Sequence, residues 1–126
     1  MKKRALILVD HGSTVKEANE LLAAIAERIR KSGGSGFDIV RHSHMELSEP
    51  TLSQAFDECV SLGAGEIVVH PYFLAPGRHS TSDIPRMVEE AASSHSGVAF
   101  SVTEPLGVHD KIIEVILERS GGRNNA

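Results

Sequence analysis

Ala5-Leu6-Ile7-Leu8-Val9 is an uninterrupted apolar run of strand length, and a helical pattern follows it; that pairing then recurs along the chain. A run this short reads as a strand buried on both faces, as in a parallel sheet covered by helices. After the turn Asp10-His11-Gly12-Ser13, apolar residues fall at Val15, Ala18, Leu22, Ile25 and Ile29. Steps of three and four residues draw one stripe on a helix, which Ser32-Gly33-Gly34-Ser35-Gly36 ends. Residues 37–45 read as a second strand. Glu49-Pro50-Thr51 is expected to open the next helix with Pro50 in its first turn; its inner stripe is Leu52, Ala55, Phe56, Cys59 and Leu62. A third strand at 67–72 leads through a long loop, 73–82, to a helix at 83–94 with Ser82 or Asp83 as its cap. A strand at 98–102 and a helix at 109–119 complete the series.

Four strand–helix units in strict alternation predict an α/β fold: a single three-layer domain with a four-stranded parallel sheet and helices on both faces. The domain is expected over residues 1–120, with 121–126 as a flexible tail. The length of 126 residues is ordinary for one domain and small for an enzyme working alone. A single cysteine excludes an internal disulfide framework and any Cys₄ metal site within one chain. No apolar run approaches the roughly 20 residues that span a bilayer, and the stretch after Lys2-Lys3-Arg4 is too short for a signal peptide's core, so a cytoplasmic, non-membrane protein is expected. With a formal net charge of -4, the chain is an unlikely ligand for nucleic acid, which demands clustered Lys and Arg.

In sheets of this kind ligands bind outside the carboxyl ends of the strands. The polar residues placed there are Asp10-His11-Gly12-Ser13, His44-Met45-Glu46, Pro76-Gly77-Arg78-His79 and Glu104-Pro105-Leu106-Gly107. Two imidazoles, a carboxylate and an arginine therefore converge on one edge. His11 lies in a sharp turn where Gly12 permits a ligand to come close, though a histidine there can also simply bond a neighbouring loop. Gly12-Ser13 could receive an anion at a helix N-terminus; no G-x-G-x-x-G or P-loop accompanies it. His79 lies in the longest loop, where a functional residue and a solvated one are both at home. Arg78 is either a solvated charge or a partner for a substrate carboxylate. His42, His44 and Glu46 share one face of an extended strand. Of these, Glu46 is the best ligand or base, His44 is open between substrate and structure, and His42 suits packing within the sheet. Glu49 reads as a first-turn carboxylate, His70 as a satisfied core histidine, His95 as exposed, and His109 as a cap. Cys59, on an apolar stripe, reads as a small hydrophobe. No Ser–His–Asp order stands out. Two imidazoles and a carboxylate suit borderline divalent metals such as Fe(II), Co(II), Ni(II) or Zn(II), or, without metal, accept protons near neutral pH.

The segments Val9-Asp10-His11-Gly12-Ser13, Met45-Glu46-Leu47-Ser48-Glu49-Pro50, Pro71-Tyr72-Phe73-Leu74, Gly77-Arg78-His79, Asp83-Ile84-Pro85 and Pro105-Leu106-Gly107, in that order, resemble the short-form sirohydrochlorin chelatases of the class II chelatase superfamily. His44-Met45-Glu46-Leu47 and Pro76-Gly77-Arg78-His79 look most like the plant-type ferrochelatases. The resemblance runs from Ala5 to about Arg119 and implies one flavodoxin-like chelatase lobe. It implies insertion of Fe(II) into sirohydrochlorin to give sirohaem, with Co(II) or Ni(II) insertion in related members. Carried over by residue, His11, His79 and Glu46 match the family's metal-binding or proton-abstracting groups; Arg78, Ser13 and His44 are the expected substrate contacts. Arg86 and helix N-termini are further candidates for the tetrapyrrole's carboxylates. The metal is substrate, no cofactor is expected to be permanently bound, and no iron–sulfur cluster is expected because the tail lacks the cysteines some plant-type members carry. Some relatives have Gly at the place of Asp10, which leaves open whether Asp10 tunes His11 or shapes the turn. Long class II chelatases face two such lobes across the tetrapyrrole, so this chain is expected to pair as a homodimer with strand-end edges on a shared cleft. A non-catalytic metal or tetrapyrrole carrier is the alternative. A histidine phosphatase is disfavoured, since Asp10 stands where an Arg would hold phosphate.

Overall fold

A computed structural model describes residues 2–77 and 82–122. Four strands, β1 (Lys3–Asp10), β2 (Ile39–His44), β3 (Ala64–Pro71) and β4 (Ala99–Val102), alternate with four helices, α1 (Lys16–Lys31), α2 (Leu52–Ser61), α3 (Ile84–Ala92) and α4 (Asp110–Arg119). The strands form one parallel sheet in the order β2-β1-β3-β4. The order reverses between β1 and β3, and a reversal of this kind opens a crevice at the carboxyl ends of the strands.

The apolar run of β1 serves both faces because alternate side chains point to opposite sides. Ala5, Ile7 and Val9 join Ile67 and Val69 of β3 beneath α2 and α3, which contribute Leu52, Ala55, Phe56 and Cys59 and then Ile84, Val88, Ala91 and Ala92. Leu8 and Val40 pack on the other face against Leu22 and Ala26 of α1, with Ile25 and Ile29 beside them. Val15 and Ala18, expected on that stripe, are exposed: Val15 is the N-cap that precedes α1, and Ala18 lies in its first turn. Cys59 is buried, and burial pushes its thiol up to about 11, so it is inert at neutral pH.

The start of α2 departs from the expectation. The helix begins at Leu52 and Pro50 lies outside it. Thr51 is the N-cap of a capping box: its hydroxyl accepts from Gln54 N–H at 3.2 Å while its own N–H donates to Gln54 Oε1 at 2.8 Å. Glu49 is held by the Gln54 amide at 2.7 Å rather than lying in the first turn. His109 caps α4 as expected, accepting from Lys111 N–H. The end of α4 is closed by Gly122 N–H donating to the Leu117 carbonyl at 2.8 Å; residues 123–126 of the expected tail lie outside the described residues. None of the residues of α4 is buried, and Ile113, Val115, Ile116 and Leu117 are exposed.

Among the described residues Phe56 is the largest fully buried side chain, packed in the core shared by the sheet and α3. Phe56→Ala is expected to lower stability by about 3–5 kcal/mol in urea unfolding through the lost burial and the cavity left behind. A loss under about 1 kcal/mol would contradict this packing.

Candidate functional site

At the reversal point the loops after the strands do not simply diverge. Tyr72 N–H donates to the Val9 carbonyl at 2.7 Å, and Leu106 N–H, in the loop after β4, donates to Phe73 at 3.0 Å. Beyond β1 and β2 the pairing continues past the sheet: Met45 N–H donates to Asp10 at 2.8 Å and Glu46 N–H to His11 at 3.1 Å. Gly12, with φ +94°, makes this possible, because a Cβ there would drive into the Glu46 carbonyl oxygen and crowd His44. The sequence suggested that Gly12 lets a ligand come close; in the structure it is this chain's own Glu46 backbone that does so.

The paired loops bring His11 and Glu46 together, with Nε2 of the imidazole 3.1 Å from Oε1 of the carboxylate. The other ring nitrogen, Nδ1, lies 3.3 Å from the Gly12 carbonyl. With Nδ1–H donating there, Nε2 is the atom left to face Glu46, as ligand or as base. Both side chains remain partly open to solvent beside a cleft of about 310 Å³ lined by His11, Ser13, Asn19, Tyr72 and Phe73, among others. Arg78 and His79 lie outside the described residues. Among the described residues no three His, Cys, Asp or Glu side chains converge as a metal cage, so His11 and Glu46 stand as a pair.

Asp10 does not turn toward His11. Its carboxylate meets Nδ1 of His44 at 2.6 Å. His44 is 1% exposed and its imidazole edge lies against His42, ring centroids 5.7 Å apart. The imidazole, expected at the substrate, is thus almost wholly enclosed. Glu46 does not continue the His42–His44 face either, since β2 ends at His44. Ser13 sits at the cleft, but its hydroxyl accepts from Val15 N–H at 2.9 Å, shaping the turn. Asn19, not singled out in the sequence, clamps the same residue from both ends of its amide: it accepts from Ser13 N–H at 3.0 Å and donates to the Ser13 carbonyl at 2.7 Å. The signal was an Asn inside a helix, where such a side chain is useful only if it bonds backbone nearby.

The remaining imidazoles lie elsewhere. His70 bonds the Thr103 hydroxyl at 2.8 Å. His95, expected exposed, instead stacks on Phe56 and pairs with Asp57 at 2.6 Å. Arg86 lies near Asp83 at 3.6 Å, at the start of α3.

The CbiX family model matches residues 5–122. The chain belongs to the CbiX family. As a CbiX protein it is 41% identical to the chloroplastic sirohydrochlorin ferrochelatase of Arabidopsis thaliana over 90% of its own length and 50% of that protein's. It is 34% identical to the sirohydrochlorin cobaltochelatase of Methanocaldococcus jannaschii, over 94% of the chain and 99% of the relative. The crystal structure of the sirohydrochlorin chelatase of Bacillus subtilis subspecies spizizenii in complex with cobalt superposes with a TM-score of 0.87 at 32% identity, covering 94% of this chain and 50% of that one. The CbiX chain therefore spans about half the length of the plant and Bacillus relatives and nearly all of the archaeal one. The four-stranded parallel α/β domain expected from the sequence is the fold these proteins share.

Burial holds the imidazoles of His42 and His70 below the ordinary value of 6.5; for His42 the neighbouring His44, Arg30 and Arg41 add to this and Asp10 opposes it. The fold thus favours the neutral rings, and the unfolded chain takes up more protons once the pH drops to the ordinary value. Stability is expected to fall as pH falls through about 6.5 and on toward the lowered values. Urea midpoints at pH 7.5 and 5.5 should converge in the double variant His42→Asn, His70→Asn relative to wild type. An unchanged gap would contradict the assignment.

Proposed function

We propose that the chain is a sirohydrochlorin chelatase that inserts a divalent metal, Fe(II) foremost, into the tetrapyrrole and releases two protons. The observation that carries this reading is the His11–Glu46 pair, 3.1 Å apart at the carboxyl edge of the sheet, in a chain related to proteins named sirohydrochlorin ferrochelatase and cobaltochelatase. Metal insertion needs bases beside the ring face to take the pyrrole protons. It also needs a site that gives up the metal, and an open set of few ligands does so more readily than a closed cage. In this reading His11 Nε2 and Glu46, joined by His79, hold the incoming metal and accept the protons. Arg78 and the Ser13 turn receive substrate carboxylates, while His44 acts behind the site and not on the substrate. Co(II) is the second reading, favoured by the match along nearly the whole archaeal cobaltochelatase. A cytoplasmic location and a homodimer with strand-end edges on a common cleft belong to the same proposal; the exposed apolar residues of α4 offer surface for an assembly to bury.

Sub-stoichiometric protein incubated with sirohydrochlorin and Fe(II), Co(II) or Ni(II) should convert an excess of substrate, fastest with Fe(II). His11→Ala and His79→Ala should each lose roughly a hundredfold or more while keeping the native circular dichroism spectrum. Binding that stops at one equivalent would make the protein a carrier, and near-wild-type turnover in both variants would remove the site assignment. Light scattering after gel filtration should give twice the chain mass; an active monomer would overturn the dimer.

A further inference from the structure

We infer that the Asp10–His44 pair, with its imidazole buried, is a clasp that positions Glu46 against His11, so that both residues govern the reaction rate without touching substrate. The inference rests on the assignment of Glu46 to metal insertion.

Asp10 and His44 are register partners, the last pair of the β1–β2 ladder. Their side chains leave the same face of the sheet and meet at 2.6 Å, with His44 sealed from solvent and Asp10 22% exposed. A hydrogen bond to a carboxylate in so enclosed a place is among the stronger kinds. The next two links, Met45 N–H to Asp10 and Glu46 N–H to His11, lie beyond the sheet and have no further strand to support them. One residue later the ladder ends abruptly, for Leu47 takes φ +69°, a left-handed conformation that a branched residue resists. Glu46 is therefore the last residue held before a turn. What holds it is the backbone on its N-terminal side, which the clasp pins to β1. His44 is anchored from its other side too, its N–H donating to the Pro50 carbonyl at 2.9 Å, so the clasp also fixes the segment that returns toward α2. Removing the clasp leaves the pairs from Ala5↔Ile39 to Val9↔Ser43 intact. The loss should consequently fall on the geometry of the paired loops and not on the fold. Supporting hydrogen bonds behind metal-binding groups typically matter by roughly ten- to a hundredfold.

The test compares steady-state Co(II) insertion into sirohydrochlorin, and calorimetric Co(II) binding, in wild type, His44→Leu, His44→Asn, Asp10→Leu, Asp10→Asn, Glu46→Gln, and Glu46→Gln combined with His44→Leu. Asn at position 44 retains a donor and Asn at position 10 an acceptor. His44→Leu and Asp10→Leu should lose roughly ten- to a hundredfold in kcat with KM for the tetrapyrrole changed by no more than about twofold. Co(II) affinity should weaken in the same two variants, and both Asn variants should restore most of the rate. In the Glu46→Gln background His44→Leu should add almost nothing, the non-additivity expected of groups acting through one another. Should His44→Leu fail to fold, the part-exposed Asp10 carries the test through its Leu and Asn variants. Wild-type kcat in both Leu variants, or losses that simply multiply with Glu46→Gln, would overturn the clasp. Wild-type activity in Glu46→Gln would instead overturn the assignment of Glu46 on which it rests.

Discussion

Two backbone hydrogen bonds that run past the end of the sheet, Met45 N–H to Asp10 and Glu46 N–H to His11, organise the whole carboxyl edge. Within the sheet β2 is held along its length by its one neighbour, β1; past its end a loop is free to diverge. Here the ladder is extended by two residues because Gly12 lacks a side chain, and so the Glu46 backbone can lie against the first loop. The consequence is chemical. An imidazole from one loop and a carboxylate from another, far apart in the sequence, are fixed within hydrogen-bond distance at the carboxyl ends of β1 and β2, next to the point where the strand order reverses. Asn19 secures the same loop from α1 by gripping the Ser13 backbone at both its N–H and its carbonyl.

Much of this was legible from residue order. The unbroken apolar run of β1 is typical of a strand covered on both sides, and the alternation of strand and helix patterns points to the sheet, its parallel sense and the edge where polar residues collect. Position alone selected His11 and Glu46. What sequence periodicity could not reach was anything decided by a partner distant in the chain. Period-two alternation placed His42 and His44 on one face, but whether α1 and the neighbouring loops would enclose them is a matter of packing, and His44 is enclosed. The role of Asp10 was open for the same reason, since its partner lies on another strand. His95 follows α3 and looked free; its place is set by Phe56 and Asp57 on α2. The capping box Thr51–Gln54 was a local signal, and it outweighs the preference of Pro50 for a first turn.

The arrangement also gives physical content to the modest size. The domain carries the His11–Glu46 pair partly open to solvent at one edge, and α4 has no buried residue, with Ile113, Val115, Ile116 and Leu117 exposed. In the proposed reading a flat macrocycle is held between two walls while its protons leave, and one such domain would supply one of them. The plant and Bacillus relatives are about twice as long as this chain.

The central claim is that the metal enters at the His11–Glu46 pair. Anomalous diffraction at the cobalt edge from crystals soaked in Co(II) locates the ion without reference to turnover. Metal entry at this pair should give a peak within coordination distance of His11 Nε2, about 2.1 Å for a nitrogen ligand, with Glu46 on the same ion. A peak at the Asp57–His95 pair instead, with none at His11, would contradict it.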